Sequence, residues 1–254
     1  MTDYQNQHRL DGRVALITAG GSGFGRATAH ALSQAGAKVA VTDIDMAAAK
    51  AVVDEIDEGN AFELDVGDEI QVDEVVDKVA ERYGRIDILV NNAGIGARGP
   101  TIDLETERWH QVMNVGPAGS FYCVRAVGQH MLKAERGAIV NVASIMGMVG
   151  GAHYPNLAYH AAKGAIVNMT RALACEWGPR QVRVNAVAPT FSRTQLTATL
   201  LSDNALVEQL LQSTPMGRFV EPGEVAAAIA FLASDAASMI TGAILPVDGG
   251  WIAR

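Results

Sequence analysis

Arg13-Val14-Ala15-Leu16-Ile17-Thr18-Ala19-Gly20-Gly21-Ser22-Gly23-Phe24-Gly25 decides the fold. Arg13 to Thr18 is a short apolar run between Asp11-Gly12 and a glycine cluster, the pattern of a fully buried strand. Arg26 to Ala35 then reads as a helix. A glycine-rich turn between strand and helix lets the backbone approach a pyrophosphate, whose charge sits at the helix N-terminus. Glycines alone also mark ordinary tight turns; the flanking strand and helix favour a nucleotide.

The same alternation continues downstream. Lys38 to Asp43 is the next strand and ends in a carboxylate. Asp43 follows the glycine turn by about 20 residues, where an acid accepts the ribose hydroxyls of NAD and repels the extra phosphate of NADP. No arginine stands in the turn to offset that repulsion. Asn60 to Asp65 is a third strand, with Asp65-Val66 at its end to meet an adenine amino group. Ile70 to Arg82 is an amphipathic helix, and Ile86 to Val90 a fourth strand leading into Asn91-Asn92-Ala93-Gly94. Ala138 to Ala143, Val182 to Val187 and Ile244 to Val247 complete the strands, and Glu221 to Ala233 is a helix with Pro222 in its first turn. The pattern predicts an α/β fold: a single-domain, doubly wound Rossmann fold with a seven-stranded parallel sheet flanked by helices and right-handed crossovers. No linker, repeat or low-complexity stretch interrupts residues 1–254, so they read as one domain. Residues 1–9 form a polar extension without a signal core, and residues 194–217 read as a mobile lid, the bland alternative being a packed surface helix pair.

Composition narrows the function classes. Of 254 residues, 49% are hydrophobic and 19% charged, which suits a globular chain. The net charge of -8 and the lack of a basic cluster argue against a nucleic-acid or anionic-membrane partner. The longest uncharged run, Gly137 to Ala162, is too polar and glycine-broken to span a bilayer. Cys123 and Cys175 lack metal-ligand spacing and read as small buried hydrophobes of a reducing cytoplasm. The six histidines show no two-ligand helical spacing, so no metal is expected.

The chemistry centres on Tyr159-His160-Ala161-Ala162-Lys163. Ala158 to Leu173 reads as a helix, and a spacing of four puts Tyr159 and Lys163 on one face. The free phenol titrates near ~10, and bringing it to about 7 takes on the order of 4 kcal/mol. A lysine in a half-dry cleft together with the positive end of a bound nicotinamide is the expected source of that shift.

With these motifs in place, the chain resembles the short-chain dehydrogenase/reductase family, of the NAD-dependent type, from Leu10 to Trp251. The resemblance is carried by the glycine turn Thr18 to Gly25, Asp43, Asp65-Val66, Asn91-Asn92-Ala93-Gly94, Ser144, Tyr159 with Lys163, Pro189 to Thr194 and Gly242 to Gly250. Within the family it is most similar to bacterial polyol (galactitol-like) dehydrogenases. The resemblance implies Tyr159 as the acid/base, Lys163 as its tuner and ribose ligand, and Ser144 as the hydrogen-bond partner of the substrate oxygen. It assigns NAD to Ser22, Gly23, Phe24, Gly25, Asp43, Ile44, Asp65, Val66, Asn91, Ala93, Gly94, Tyr159, Lys163, Pro189 and Thr194. Asn91 to Gly94 then line the adenosine side, and Thr194 with the backbone after Pro189 holds the carboxamide. Substrate falls to Ser144, Met146, His153, Tyr154 and Phe191, with Ile145 beside them and Arg193 as a possible anion contact. It also implies a homotetramer, in keeping with the apolar residues on more than one face of the helical stretches around Phe121 and Met169.

The chain departs from the family pattern. Gly116 occupies the position of the family's catalytic asparagine, counted from Trp109, Gly119 and Phe121, while Asn114 falls two residues early. Ala19 replaces the turn's usual first glycine, at about 1 kcal/mol if that position needs positive φ. The stretch from Ser144 to Tyr159 is longer than usual, the extra length falling in Gly150 to Leu157, and Thr190 replaces a glycine. The leading reading is an NAD-dependent secondary-alcohol dehydrogenase acting on a polyol, sugar alcohol or related hydroxy compound. The alternatives are an NAD-binding regulatory or scaffold protein whose relay is lost at Gly116, and an NADPH-dependent ketone reductase, which Asp43 disfavours.

Overall fold

The computed structural model describes residues 6–151 and 153–254; residues 1–5 of the expected polar extension, and Ala152, lie outside the described residues. Strands β1 (Val14–Ile17), β2 (Lys38–Asp43), β3 (Gly59–Glu63), β4 (Ile88–Asn91), β5 (Gly137–Val142), β6 (Val182–Pro189) and β7 (Ile244–Val247) pair in parallel in the order β3-β2-β1-β4-β5-β6-β7. The order reverses between β1 and β4, and in such sheets a crevice opens there at the carboxyl ends of the strands.

Both faces of the sheet are covered, which explains why the strands read as continuous apolar runs. Ala15 and Ile17 of β1 pack with α1 (Gly23–Gln34) and α8 (Pro222–Ala233), through Leu32 and Ile229. Val14 and Leu16, pointing the other way, pack with α3 (Glu69–Tyr83), α5 (Gly119–Ala134) and α6 (Leu157–Trp177), through Val76, Val127 and Trp177. Each fully buried Leu, Ile or Val contributes roughly 1.5–3 kcal/mol.

Several boundaries differ from expectation for identifiable reasons. α1 starts at Gly23 rather than Arg26, because the glycine turn itself forms the first helical turn. β4 starts at Ile88 rather than Ile86; Asp87 just before it is bonded to both neighbouring strands, its N–H donating to Val14 O and its carbonyl accepting Ala138 N at 2.9 Å each, while its buried carboxylate accepts Val14 N at 2.9 Å and pairs with Arg85. β6 runs on to Pro189, which faces Val247 of β7. Beyond β4, α4 (Thr106–Met113) passes through a π-helical turn, Asn114–Ala118, into α5. Pro117 inside that turn lacks the donor an α-helix needs, and the wider turn accommodates it. Residues 194–217 are not one helix. They form single 3-10 turns at Gln195–Thr197 and Leu200–Ser202, then α7 (Asn204–Gln212), capped by Asp203. Leu200, Leu201 and Leu210 anchor this segment on Ile145, Met146, Phe191, Phe219 and Trp251. Cys123 is buried, its thiol pushed up to about 12 by burial, but Cys175 is exposed, contrary to expectation.

Candidate active site

The cleft opens on the carboxyl ends of β1, β4, β5 and β6, and its wall runs from Ser22, Gly23 and Phe24 past Asn92 and Gly94 to Ser144, Tyr159 and Lys163. Its far end is lined by Arg98, Ile145, Met146, Tyr154, Asn156 and the residues from Pro189 to Leu196 other than Arg193.

The glycine turn is shaped by close approaches. A Cβ on Gly25 would lie 2.1 Å from the carbonyl oxygen of Ala19, so α1 can start against the turn only with glycine there. Ala19 does take positive φ, at 49°, and its carbonyl accepts Asn92 Nδ2 at 2.9 Å. The Thr18 hydroxyl accepts the backbone N–H groups of Asn92 and Ala93, tying the end of β1 to the end of β4. Asp43 Oδ2 accepts Gly21 N at 2.9 Å and its Oδ1 accepts Asp45 N at 3.0 Å, so the carboxylate at the end of β2 is held against the turn. Ile44 beside it is 67% exposed. Asp65 accepts Gly67 N, and Val66 is buried against Gly119. Asn114 Nδ2 donates to Gly67 O at 3.2 Å, so this asparagine braces the loop after β3 and does not reach toward Tyr159.

Ser144 ends β5 and caps the turn Ile145–Gly147, accepting Met146 N at 3.1 Å. That turn lies directly on α6: a Cβ on Gly147 would be 2.5 Å from the carbonyl oxygen of Lys163. The close contact brings Ser144 and Tyr159 to the same wall of the cleft, near enough for the serine to act on the phenol's pKa. Lys163, 6% exposed, donates to Val142 O at 2.6 Å and holds its Nζ 5.6 Å from the centre of the Tyr159 ring. Gly94 leaves room for that Nζ, 3.3 Å from where a Cβ would stand. Tyr159 is partly buried and lines the cleft. Burial pushes the phenol up to about 12, against the Ser144 hydrogen bond and the Arg98 charge, which pull it down, with Tyr154 adding to the rise. Burial also brings Lys163 down to about 8. Among the protein's own groups, desolvation outweighs the Ser144 hydrogen bond and the Arg98 charge.

Three further expectations are corrected. His153 does not line the cleft; it is exposed, its Nε2 lies 2.7 Å from Ser213 Oγ, and its ring meets Trp251 edge-on. Asn91 is turned into the sheet, donating to Asn141 Oδ1 at 2.9 Å, and its neighbour Asn92 faces the turn instead. Arg193 is exposed over the Phe219 ring rather than in the cleft. Met146, Tyr154 and Phe191 do line the far end, and Thr194 closes over the glycine turn, its Cγ2 3.5 Å from where a Cβ on Gly23 would stand. Gly25, Asp43, Ile44, Asp65, Val66 and Ala93 are not among the residues lining the cleft. Gly116 is buried, with Ala162 Cβ 3.4 Å from the position its own Cβ would take.

Sequence reading missed Arg98 and Asn156. Arg98 lies in the loop leaving β4 at its carboxyl end, a location that signals ligand contact, but a lone loop arginine is otherwise unremarked. Asn156 precedes α6 and reads from sequence only as a helix start. No group of three or more metal-ligating side chains occurs among the described residues.

A family model described as enoyl-(acyl carrier protein) reductase matches residues 18–252. The chain is 40% identical over 252 residues to a galactitol 2-dehydrogenase of Rhizobium johnstonii, covering 98% of each chain. It is 42% identical over 247 residues to a D-threitol dehydrogenase of Mycolicibacterium smegmatis, covering 96% of this chain and 94% of the other. A gluconate 5-dehydrogenase from Burkholderia cenocepacia, solved with NADP and tartrate, superposes with a TM-score of 0.94 at 35% identity, over 99% of this chain and all of that one.

Proposed function

We propose, since the chain belongs to the short-chain dehydrogenase/reductase family, that this oxidoreductase moves hydride between NAD(H) and a secondary alcohol or ketone of a polyol, sugar alcohol or related hydroxy compound. The observation that carries the reading is the convergence of Ser144, Tyr159 and Lys163 in one cleft with the glycine turn. The residues fit a dinucleotide: a helix N-terminus free of side chains at Gly23 and Gly25, and a carboxylate held beside the turn at Asp43. Ser22, Gly23 and Phe24 would hold the pyrophosphate, Asp43 and Ile44 the adenosine, and Lys163 and Thr194 the nicotinamide end. When bound, the oxidised nicotinamide accepts hydride and brings a positive charge.

The chain's own residues handle the proton. Ser144 orients the substrate oxygen by a hydrogen bond, and Tyr159 takes the hydroxyl proton as hydride leaves the same carbon. Tyr159 accepts that proton as the phenolate and becomes the phenol; in the reverse direction the phenol returns the proton to the carbonyl oxygen. Lys163, buried and tied to Val142 O, anchors the geometry beneath the phenol.

Asp43 supports NAD over NADP, while the NADP in the superposed gluconate dehydrogenase favours the other choice; relative affinity for NADH and NADPH decides. We further propose a single-domain homotetramer of the cytoplasm, with residues 194–217 as a lid. Phe121 and Leu157, 48% and 46% exposed, would be the apolar contacts between subunits. Among the described residues no helix is long and apolar enough to cross a membrane.

The test follows NADH absorbance with the wild type and Tyr159→Phe against sugars, polyols and diols. Positioned acid–base groups contribute roughly 100- to 10,000-fold, so the variant should lose turnover on that scale while keeping NAD affinity within about threefold. Nucleotide binding without wild-type turnover would instead favour the regulatory reading, with Gly116 as the lost relay.

A further inference from the structure

Three residues that line the far end of the cleft carry buried side-chain oxygens that nothing in the fold satisfies. Asn156 Oδ1, Thr190 Oγ1 and Ser192 Oγ are each buried without a hydrogen-bond partner, in side chains 6%, 8% and 2% exposed, and all three residues line the cleft. Buried polar groups are ordinarily paired, and a set left unpaired in one cavity marks where a ligand supplies the missing partners. Asn156 Oδ1 accepts only, whereas the two hydroxyls donate or accept. A ligand hydroxyl does both and matches the set; an apolar alcohol or a long acyl chain does not.

Arg98 stands at the same end. It is exposed, its Nη2 donates to Leu196 O at 3.2 Å, and its guanidinium lies 5.7 Å from the centre of the Tyr154 ring. Those contacts hold the fork in place without neutralising it: among the described residues no carboxylate pairs with Arg98. Its partners lie on the substrate side, none in the glycine turn. One guanidinium matches one monoanion, and its planar donors suit a carboxylate; a phosphate ester would leave charge unmet.

We propose that this end of the cleft is a hydroxy-acid subsite, in which Arg98 holds a substrate carboxylate and Asn156, Thr190 and Ser192 take its hydroxyls. The proposal rests on the dehydrogenase reading above and narrows its substrate class from polyols at large to polyhydroxy carboxylates. Arg98 and Asn156 are thereby specificity residues, acting on substrate choice and not on hydride transfer.

The test compares C4–C6 aldonates with the alditols of the same configuration, using wild type, Arg98→Met and Arg98→Lys with NAD or NADP, whichever binds. The wild type should favour the aldonates in kcat/KM. Loss of a charge-assisted hydrogen bond should cost Arg98→Met about ten- to a hundredfold on aldonates, chiefly in KM and at least tenfold more than on alditols, with partial recovery in Arg98→Lys. Independently of turnover, aldonate should raise the Tm of the wild type more than that of Arg98→Met. Equal losses on both substrate classes would report only the field of the guanidinium on Tyr159 and overturn the proposal. So would a wild-type preference for alditols, or a weakened NADH Kd in Arg98→Met that accounts for the loss. Turnover of alditols but not aldonates refutes the subsite alone, whereas turnover of neither class refutes the dehydrogenase reading with it.

Discussion

Around the glycine turn, side-chain atoms of Asp43, Thr18, Asn92 and Asp65 are hydrogen-bonded to backbone groups of the protein itself. At the far end, Asn156, Thr190 and Ser192 each keep a buried polar atom unpaired. The first end is rigidified by its own hydrogen bonds and presents backbone geometry to whatever binds. The second leaves hydrogen-bonding capacity of its side chains unspent within the fold. Such a division suits a protein whose cofactor site is common to a family and whose substrate site is particular to itself.

The comparison can be broken at its ordered end first. Asp43→Ala should lower the preference for NAD over NADP by about ten- to a hundredfold, the scale of a lost hydrogen bond to a charged group. Titrating both reduced cofactors by fluorescence measures it, and an unchanged preference would show that the carboxylate serves only the turn. An effect of comparable size comes from Lys163, where the two ends meet. Its folded pKa of about 8 lies below the ordinary lysine value of 10.5, so the unfolded chain binds more protons between those pH values and wild-type stability rises across that window. The stability of wild type relative to Lys163→Met should shift in favour of the wild type by on the order of 1–3 kcal/mol between pH 7 and pH 10. Urea unfolding of the cofactor-free proteins at the two pH values reads it; a pH-independent difference would mean the ammonium is better solvated than its burial implies. The smallest effect is at Ala19, which holds positive φ. Ala19→Gly should stabilise the chain by about 1 kcal/mol, offset in part by the greater freedom of glycine in the unfolded state. A loss of stability on thermal melting would place the strain elsewhere in the turn.

How much of this was readable in advance depends on how local each cause is. β2 is read to the residue because its apolar run ends at charged Lys38 and Asp43, and both ends of the run are where burial ends. Asp87, just before β4, is buried for a reason that lies at Val14, far along the chain. The double asparagine after β4 marks a site, but the pleat turns Asn91 into the sheet and Asn92 toward the turn, and motif reading gave both to the adenosine. His153 reads as a substrate residue because its loop borders the cleft; its partner Ser213 is 60 residues away and invisible to any local pattern. Arg98 was overlooked for the opposite reason, since an exposed arginine needs no explanation until the cavity beside it is known. The pairing of Tyr159 with Lys163 was legible from helical spacing, but the direction of the phenol's shift was not, because burial is a property of the packed molecule.

The placing of β1 bears on how the molecule is made. It leaves the ribosome well before β4, yet it ends in the interior of the sheet, between β2 and a strand that begins at Ile88. Until that later segment emerges, one hydrogen-bonding edge of Val14–Ile17 has no native neighbour, and an unpaired apolar edge is a template for wrong association. Substitutions that slow synthesis or weaken β4 should therefore reduce the yield of soluble protein more than they reduce the stability of chains that succeed in folding.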